Sequence, residues 1–163
     1  MIDLFGDKEW RPLVKMGKVL PYYYVSREGQ IYNTKSGRIR QLHPKPPDGY
    51  LTASLSIPND LYDDYRYFSD GRVNTCLMSV QVHKVVAETW LPLDENPPEQ
   101  LKDTWDQVPE EWRQWVKDTA IVDHIDSKVD NNHSDNLRWV TPKQNNYSRK
   151  KNELSCGSEC SNS

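Results

Sequence analysis

Residues 120–145 decide the fold: Ala120-Ile121-Val122-Asp123-His124-Ile125-Asp126, a polar loop from Ser127 to Asp135, then Asn136-Leu137-Arg138-Trp139-Val140 and Thr141-Pro142-Lys143-Gln144-Asn145. The first run opens with a β-type apolar pattern. Asp123-His124 interrupts it with two groups that a core strand does not bury without a partner. The loop is dense in Asn and Asp, residues that turn a chain by bonding their own backbone. Leu137–Val140 predicts a second short strand. Thr141 predicts a helix N-cap, Pro142 suits the first helical position, and Gln144 completes a capping box. The order is strand, loop, strand, helix, with Asn145 in the helix's first turn.

Upstream, the chain reads as short strands between turn signals. Tyr22–Ser26, Gln30–Asn33, Arg38–Leu42, Tyr50–Leu55 and Cys76–Val82 are strand-like, and Arg27-Glu28-Gly29 and Lys35-Ser36-Gly37 turn the chain. This succession predicts an antiparallel sheet. Arg38-Ile39-Arg40-Gln41-Leu42 alternates, which would place Arg38 and Arg40 on a solvent face. His43–Gly49 holds three prolines and predicts irregular structure. Residues 58–72 predict a hairpin tip or loop. Val82, Val85, Val86 and Trp90 lie near helical spacing, so Val82–Leu91 predicts an amphipathic helix stopped by Pro92. Residues 92–108 read as loop. Pro109–Lys117 reads as a second short helix, acidic at its start and with Lys117 near its end. Trp90, Trp112, Trp115 and Trp139 read as core, His83 as a packing histidine, and His43 and His133 as solvated. The tail from Leu154, with Cys156 and Cys160, is low-complexity and reads as disordered.

Composition bounds the rest. With 163 residues the chain makes one ordinary domain or two very small ones. Apolar residues are 36% of it, and six Trp and nine Tyr stand against two Phe, a choice that suits wet surfaces. No run approaches the length of a membrane span. The N-terminus lacks a signal-peptide pattern, and three Cys make no disulfide framework, so a reducing, cytoplasmic setting is expected. No Cys-x-x-Cys occurs, which argues against a structural zinc site. The net charge of −3 hides an asymmetry: residues 1–57 carry nine Lys/Arg against five Asp/Glu, whereas 58–118 carry six against thirteen. One face can therefore attract phosphate while another does not.

The segment 119–151 resembles the HNH nucleases and their ββα-metal fold. Asp123-His124 matches the first family element, Asn136 the second and Asn145 the third. Asn at the third position is common in the homing-endonuclease branch. Glu9-Trp10-Arg11-Pro12, Tyr24–Ile31 and Gly49-Tyr50-Leu51 resemble the NUMOD-type segment that precedes many phage HNH homing endonucleases, and Val82–Ala87 resembles the helix before the family's Asp-His. The resemblance implies an α+β protein: an N-terminal antiparallel β-sheet followed by a ββα-metal (HNH) motif. It divides the chain into a DNA-contacting region 1–81, a nuclease region 82–151 with an acidic insert 94–118, and a tail 152–163.

The implied activity is metal-dependent cleavage of double-stranded DNA, by site-specific nicking of homing type. The alternative is a DNA-binding regulator with an idle site. The side-chain chemistry agrees with the first. Asp123 offers a carboxylate and Asn145 a carbonyl oxygen, hard donors that suit one Mg²⁺ or Mn²⁺. Histidine is the side-chain type whose free form titrates near neutrality, so His124 is expected to take a proton from water. Asn136 can hold that imidazole by hydrogen bonding. Asn131 and Asn132 compete with Asn136, and Asn146 with Asn145; Asn136 is preferred because it precedes the second strand, Asn145 because of family spacing. Lys35, Arg38, Arg40, Arg138, Arg149, Lys150 and Lys151 are the expected phosphate contacts. No membrane and no small-molecule cofactor are expected, and the protein is expected to be a monomer or weak dimer.

Overall fold

The computed structural model describes residues 8–62 and 75–146. The first sheet is β1 (Trp10–Lys15), β2 (Lys18–Ser26), β3 (Ile31–Asn33) and β4 (Arg38–Ile39), antiparallel in that order. The second is β5 (His43–Lys45), β6 (Tyr50–Pro58) and β7 (Thr75–Gln81). Helix α1 (Val82–Trp90) follows β7 without a gap. A 3₁₀ helix (Glu99–Gln107) and α2 (Glu110–Thr119) form the next layer. A two-stranded hairpin, β8 (Ile121–His124) and β9 (Leu137–Val140), comes last, and residues 142–146 turn into a helix. The architecture is α+β with an N-terminal antiparallel sheet, as the sequence implied.

Helix α1 is the centre. Its Val82, Val85, Val86 and Ala87 are fully buried. They pack with Leu13, Leu20, Val25 and Ile31 of the first sheet, Leu55, Ile57 and Val80 of the second, and Val122 and Leu137 of the hairpin. A helix with apolar residues on most of its circumference must be covered on several sides, and here two sheets and a hairpin do so. Polar ties fix the arrangement: Ser56 N–H donates to the Tyr23 hydroxyl at 2.9 Å, and Val14 N–H to Thr89 Oγ1 at 2.9 Å. Trp139 bridges to a smaller cluster of Leu93, Trp105 and Val116, and its indole N–H donates to Leu91 O at 2.7 Å. No described helix is long and apolar enough to cross a membrane.

Four local expectations change. The proline-rich segment does pair, His43 opposite Thr52 and Lys45 opposite Tyr50. As an edge strand β5 needs no donor on its outer side, so Pro44 is tolerated. The strand at Arg38 is only two residues long; Arg40 N–H still donates to Ile31 O at 2.7 Å, while its guanidinium donates to Ser54 O of β6 at 2.8 Å. Residues 99–107 are 3₁₀-helical rather than loop, with Trp105 buried against Leu93 and Val116. Trp112 and Trp115 are exposed, 63% and 59%, because α2 turns Val116 to the small cluster instead. The expected loop at 58–72 and the tail lie largely or wholly outside the described residues.

Candidate active site

The hairpin pairs Ile121 with Val140, Val122 with Trp139, Asp123 with Arg138 and His124 with Leu137. Burial alternates along β8: Val122 and His124 are buried, Ile121 and Asp123 half-buried. Asp123 and His124 therefore leave the strand on opposite faces, as neighbours on a strand must. The strand stops at His124. Ser127 N–H donates to His124 O at 3.0 Å, and Ser127 takes a left-handed φ of 62° that turns the chain into the loop.

His124 points inward and is 5% exposed. Its Nε2 lies 3.1 Å from Asn132 Oδ1. Its ring stacks on Tyr50, centroids 5.9 Å apart at 27°, and meets His83 at 5.2 Å. Tyr50 and His83 are themselves 4.7 Å apart. His83, on the buried side of α1, has no hydrogen-bond partner at Nδ1. Burial, followed by the neighbouring His124, Lys84 and Lys15, pushes its imidazole down to about 3, so it is neutral beside His124.

Asp123 faces its cross-strand neighbour. Arg138 Nε and NH2 both bond Asp123 Oδ2, at 3.0 and 2.8 Å. Asn145 sits in the helical turn after β9, which is capped as the sequence predicted: Thr141 N–H donates to Gln144 Oε1 at 2.8 Å, and Gln144 N–H returns to Thr141 Oγ1 at 3.4 Å. Among the described residues no three His, Cys, Asp or Glu cluster as a metal site. The donor set is a half-buried carboxylate whose two protein bonds both fall on Oδ2, with an amide on the adjoining helix. It fits a hard cation that keeps water and phosphate oxygens in its shell. Asp123 and Asn145 are the residues that the sequence reading assigns to such a cation.

Asn136 is placed differently from the reading above. Its carboxamide donates to Asp126 Oδ1 at 2.9 Å and Asn131 O at 2.8 Å, and its Oδ1 accepts from Asp126 N–H at 3.1 Å. It closes the loop between the strands, and Asn132 meets the imidazole instead. With Asn131 donating to Asp126 Oδ2 at 2.7 Å and Lys128 N–H to Oδ1, the Asp126 carboxyl is held down at about 2. Asn131, Asn132 and Asn136 are chemically alike in the sequence, and only the path of the loop distinguishes them. His83 and Tyr50 gave a fainter signal. His83, Val86 and Trp90 share a helical face, which marked His83 as buried but not as the neighbour of His124.

The expected phosphate contacts divide. Lys35 is exposed in the turn after β3, its Nζ 5.8 Å from the Tyr22 ring centroid, and Arg38 is exposed on β4. Arg40 is committed to Ser54 O and Arg138 to Asp123. Arg149, Lys150 and Lys151 lie outside the described residues.

Comparison with known proteins agrees with this hairpin. Residues 114–147 match the family described as HNH endonuclease. Over 124 residues, 76% of the chain, it is 32% identical to DNA endonuclease I-HmuI of Bacillus phage SP01. Over an equal length it is 29% identical to an uncharacterized HNH endonuclease of Acanthamoeba polyphaga mimivirus. The chain spans 49% of the phage protein's length and 26% of the mimivirus protein's. The solved structure "DNA binding and cleavage by the HNH homing endonuclease I-HmuI" superposes with a TM-score of 0.50 at 30% identity, covering 91% of this chain and 59% of that one. Residues 114–147 thus match the HNH endonuclease family, and the chain is similar over most of its length to part of the phage homing endonuclease I-HmuI.

Proposed function

We propose that the protein is a metal-dependent DNA endonuclease of homing type that cuts one strand per encounter. The observation that carries this is the hairpin itself: Asp123 and His124 at the end of β8, inside the segment that matches the HNH endonuclease family, with the imidazole fixed by Asn132. I-HmuI is described as binding and cleaving DNA, and the present chain shares its architecture.

His124 takes the proton from the attacking water. The water oxygen bonds to phosphorus as the bond to the leaving sugar oxygen breaks. A Mg²⁺ or Mn²⁺ ion held by Asp123 and Asn145 would neutralise charge on the phosphate and the leaving oxygen. Arg138, beside Asp123, gives a guanidinium that can turn to the phosphate. Lys35 and Arg38, both exposed, are further phosphate contacts in this reading, and Arg149, Lys150 and Lys151 join them on sequence grounds.

Supercoiled plasmid and genomic DNA of the source organism, incubated with and without Mg²⁺ or Mn²⁺, test the reading. Cutting at discrete positions that needs the ion and disappears in Asp123→Ala is the expected result. Cutting at random positions would retain the chemistry and reject homing specificity. Binding without cutting under either ion would favour the idle-site regulator.

A further inference from the structure

We propose that α2 is a docking surface for a second copy of this chain, which seats its Tyr22 and the turn between β3 and β4 on it. The proposal does not depend on the nuclease reading. Trp112 and Trp115 lie three residues apart, so they stand side by side on one face of α2, and both are exposed. Of α2, Val116 alone is buried. Glu111 and Asp118 flank Trp115 at helical spacing and are exposed as well. The cations of the helix are engaged elsewhere: Arg113 pairs with Glu110 at 3.1 Å, and Lys117 with Asp94 at 2.9 Å. From Glu99 to Thr119 the sequence holds six carboxylates against three cations. Two exposed indoles among carboxylates fit a partner that offers apolar surface and positive charge. They do not fit the phosphates of a nucleic acid. Nor do they fit another α2, because a two-fold pair centred on the indoles would set Glu111 and Asp118 against like charges.

The chain carries the complementary surface on its first sheet. Tyr22 has a left-handed φ of 69°, a conformation that a bulky residue rarely takes. It lies where the pairing of β1 with β2 shifts register, between the Pro12–Tyr24 and Val14–Val19 pairs, and such an irregularity re-aims a side chain. The residue is 56% exposed. Strain held at an exposed aromatic gains nothing for the core and points to a contact outside the chain. Lys35 Nζ lies 5.8 Å from the Tyr22 ring centroid, in a turn fixed by Asn33 Oδ1, which accepts from Lys35 and Ser36 N–H at 2.9 and 3.1 Å. Arg38, also exposed, follows this turn on β4. A tyrosine with two cations thus answers two tryptophans with carboxylates. The two surfaces differ, so the contact is head-to-tail and every copy carries one of each.

Sedimentation velocity of the full chain, free of DNA, tests this. The sedimentation coefficient should rise with protein concentration at low salt, and the rise should vanish at high salt. Trp112→Ala with Trp115→Ala should weaken association at least about tenfold. Glu111→Lys should weaken it too, as should Lys35→Glu with Arg38→Glu on the other surface, with circular dichroism unchanged in each. A mixture is the sharper test. The tryptophan variant keeps the sheet surface, and the Lys35/Arg38 variant keeps α2. Neither should associate with itself, whereas an equimolar mixture should form a pair and nothing larger. A parent that stays monomeric at every concentration would overturn the proposal. So would a tryptophan variant that associates like the parent, or a mixture that stays monomeric. Loss of duplex binding in the tryptophan variant, with association intact, would make α2 a nucleic-acid surface instead.

Discussion

At the scale of single residues, the site joins two histidines with opposite demands. In the proposed reaction His124 takes a proton from water, whereas His83, with a buried nitrogen that has no hydrogen-bond partner, resists one. The folded state refuses a proton at His83 that the unfolded chain accepts below its ordinary value. Between pH 6.5 and about 3 the unfolded state binds more protons, so stability falls as pH falls through that window. His83→Phe keeps an aromatic ring against Tyr50 and removes the titration. Urea denaturation at pH 7 and pH 5 should show the parent losing more stability than the variant over that interval. Equal losses would mean that His83 opens to solvent and protonates without unfolding. Asn136 belongs to the same scale. Its three bonds close the loop, so Asn136→Ala should cost roughly 1–3 kcal/mol of stability in the same assay, a loss of partners rather than of catalytic chemistry.

At the scale of elements, the capping box carries the turn that presents Asn145. Thr141→Ala removes the cap and should lower stability by about 1 kcal/mol. It should also weaken Mn²⁺ binding, read by titration of the protein alone, because a frayed first turn no longer holds Asn145. Undiminished Mn²⁺ affinity would show that Asn145 is not a ligand. This helix start was legible from sequence, as were β9 and α1, because caps, alternation and helical spacing are local signals. The pairing of β5 was not, because whether Pro44 is tolerated depends on which strands flank it. Nor was the exposure of Trp112 and Trp115: α2 is amphipathic either way, and the small cluster that claims Val116 is assembled from Leu93 and Trp105 elsewhere in the chain. The site divides along the same line. Asp123 and His124 stood out because they break a strand pattern, while Asn132 was hidden among equivalent asparagines.

At the scale of the whole molecule, two features limit what one copy would do to a duplex under the proposed nuclease reading. The sequence holds a single Asp-His pair, and the two strands of DNA run in opposite directions. A site oriented for one scissile phosphate does not fit the other without a second copy related by symmetry, or release and rebinding. The charge pattern works against rapid rebinding. The net charge is −3, residues 58–118 are strongly acidic, and Arg40 is tied to the β6 backbone rather than free for phosphate. With few cations to spare, affinity for arbitrary sequence should be modest, and it should fall only shallowly with salt, because that slope follows the number of phosphates neutralised. On a supercoiled plasmid carrying a target, open-circle product should therefore accumulate first. Linear product should follow only slowly, at a rate that rises with protein concentration and falls as salt is raised from 50 to 200 mM. Linear product formed as fast as the open circle, at low protein and independent of its concentration, would show two sites acting together. It would place the second copy, not the acidic region, in control of the outcome.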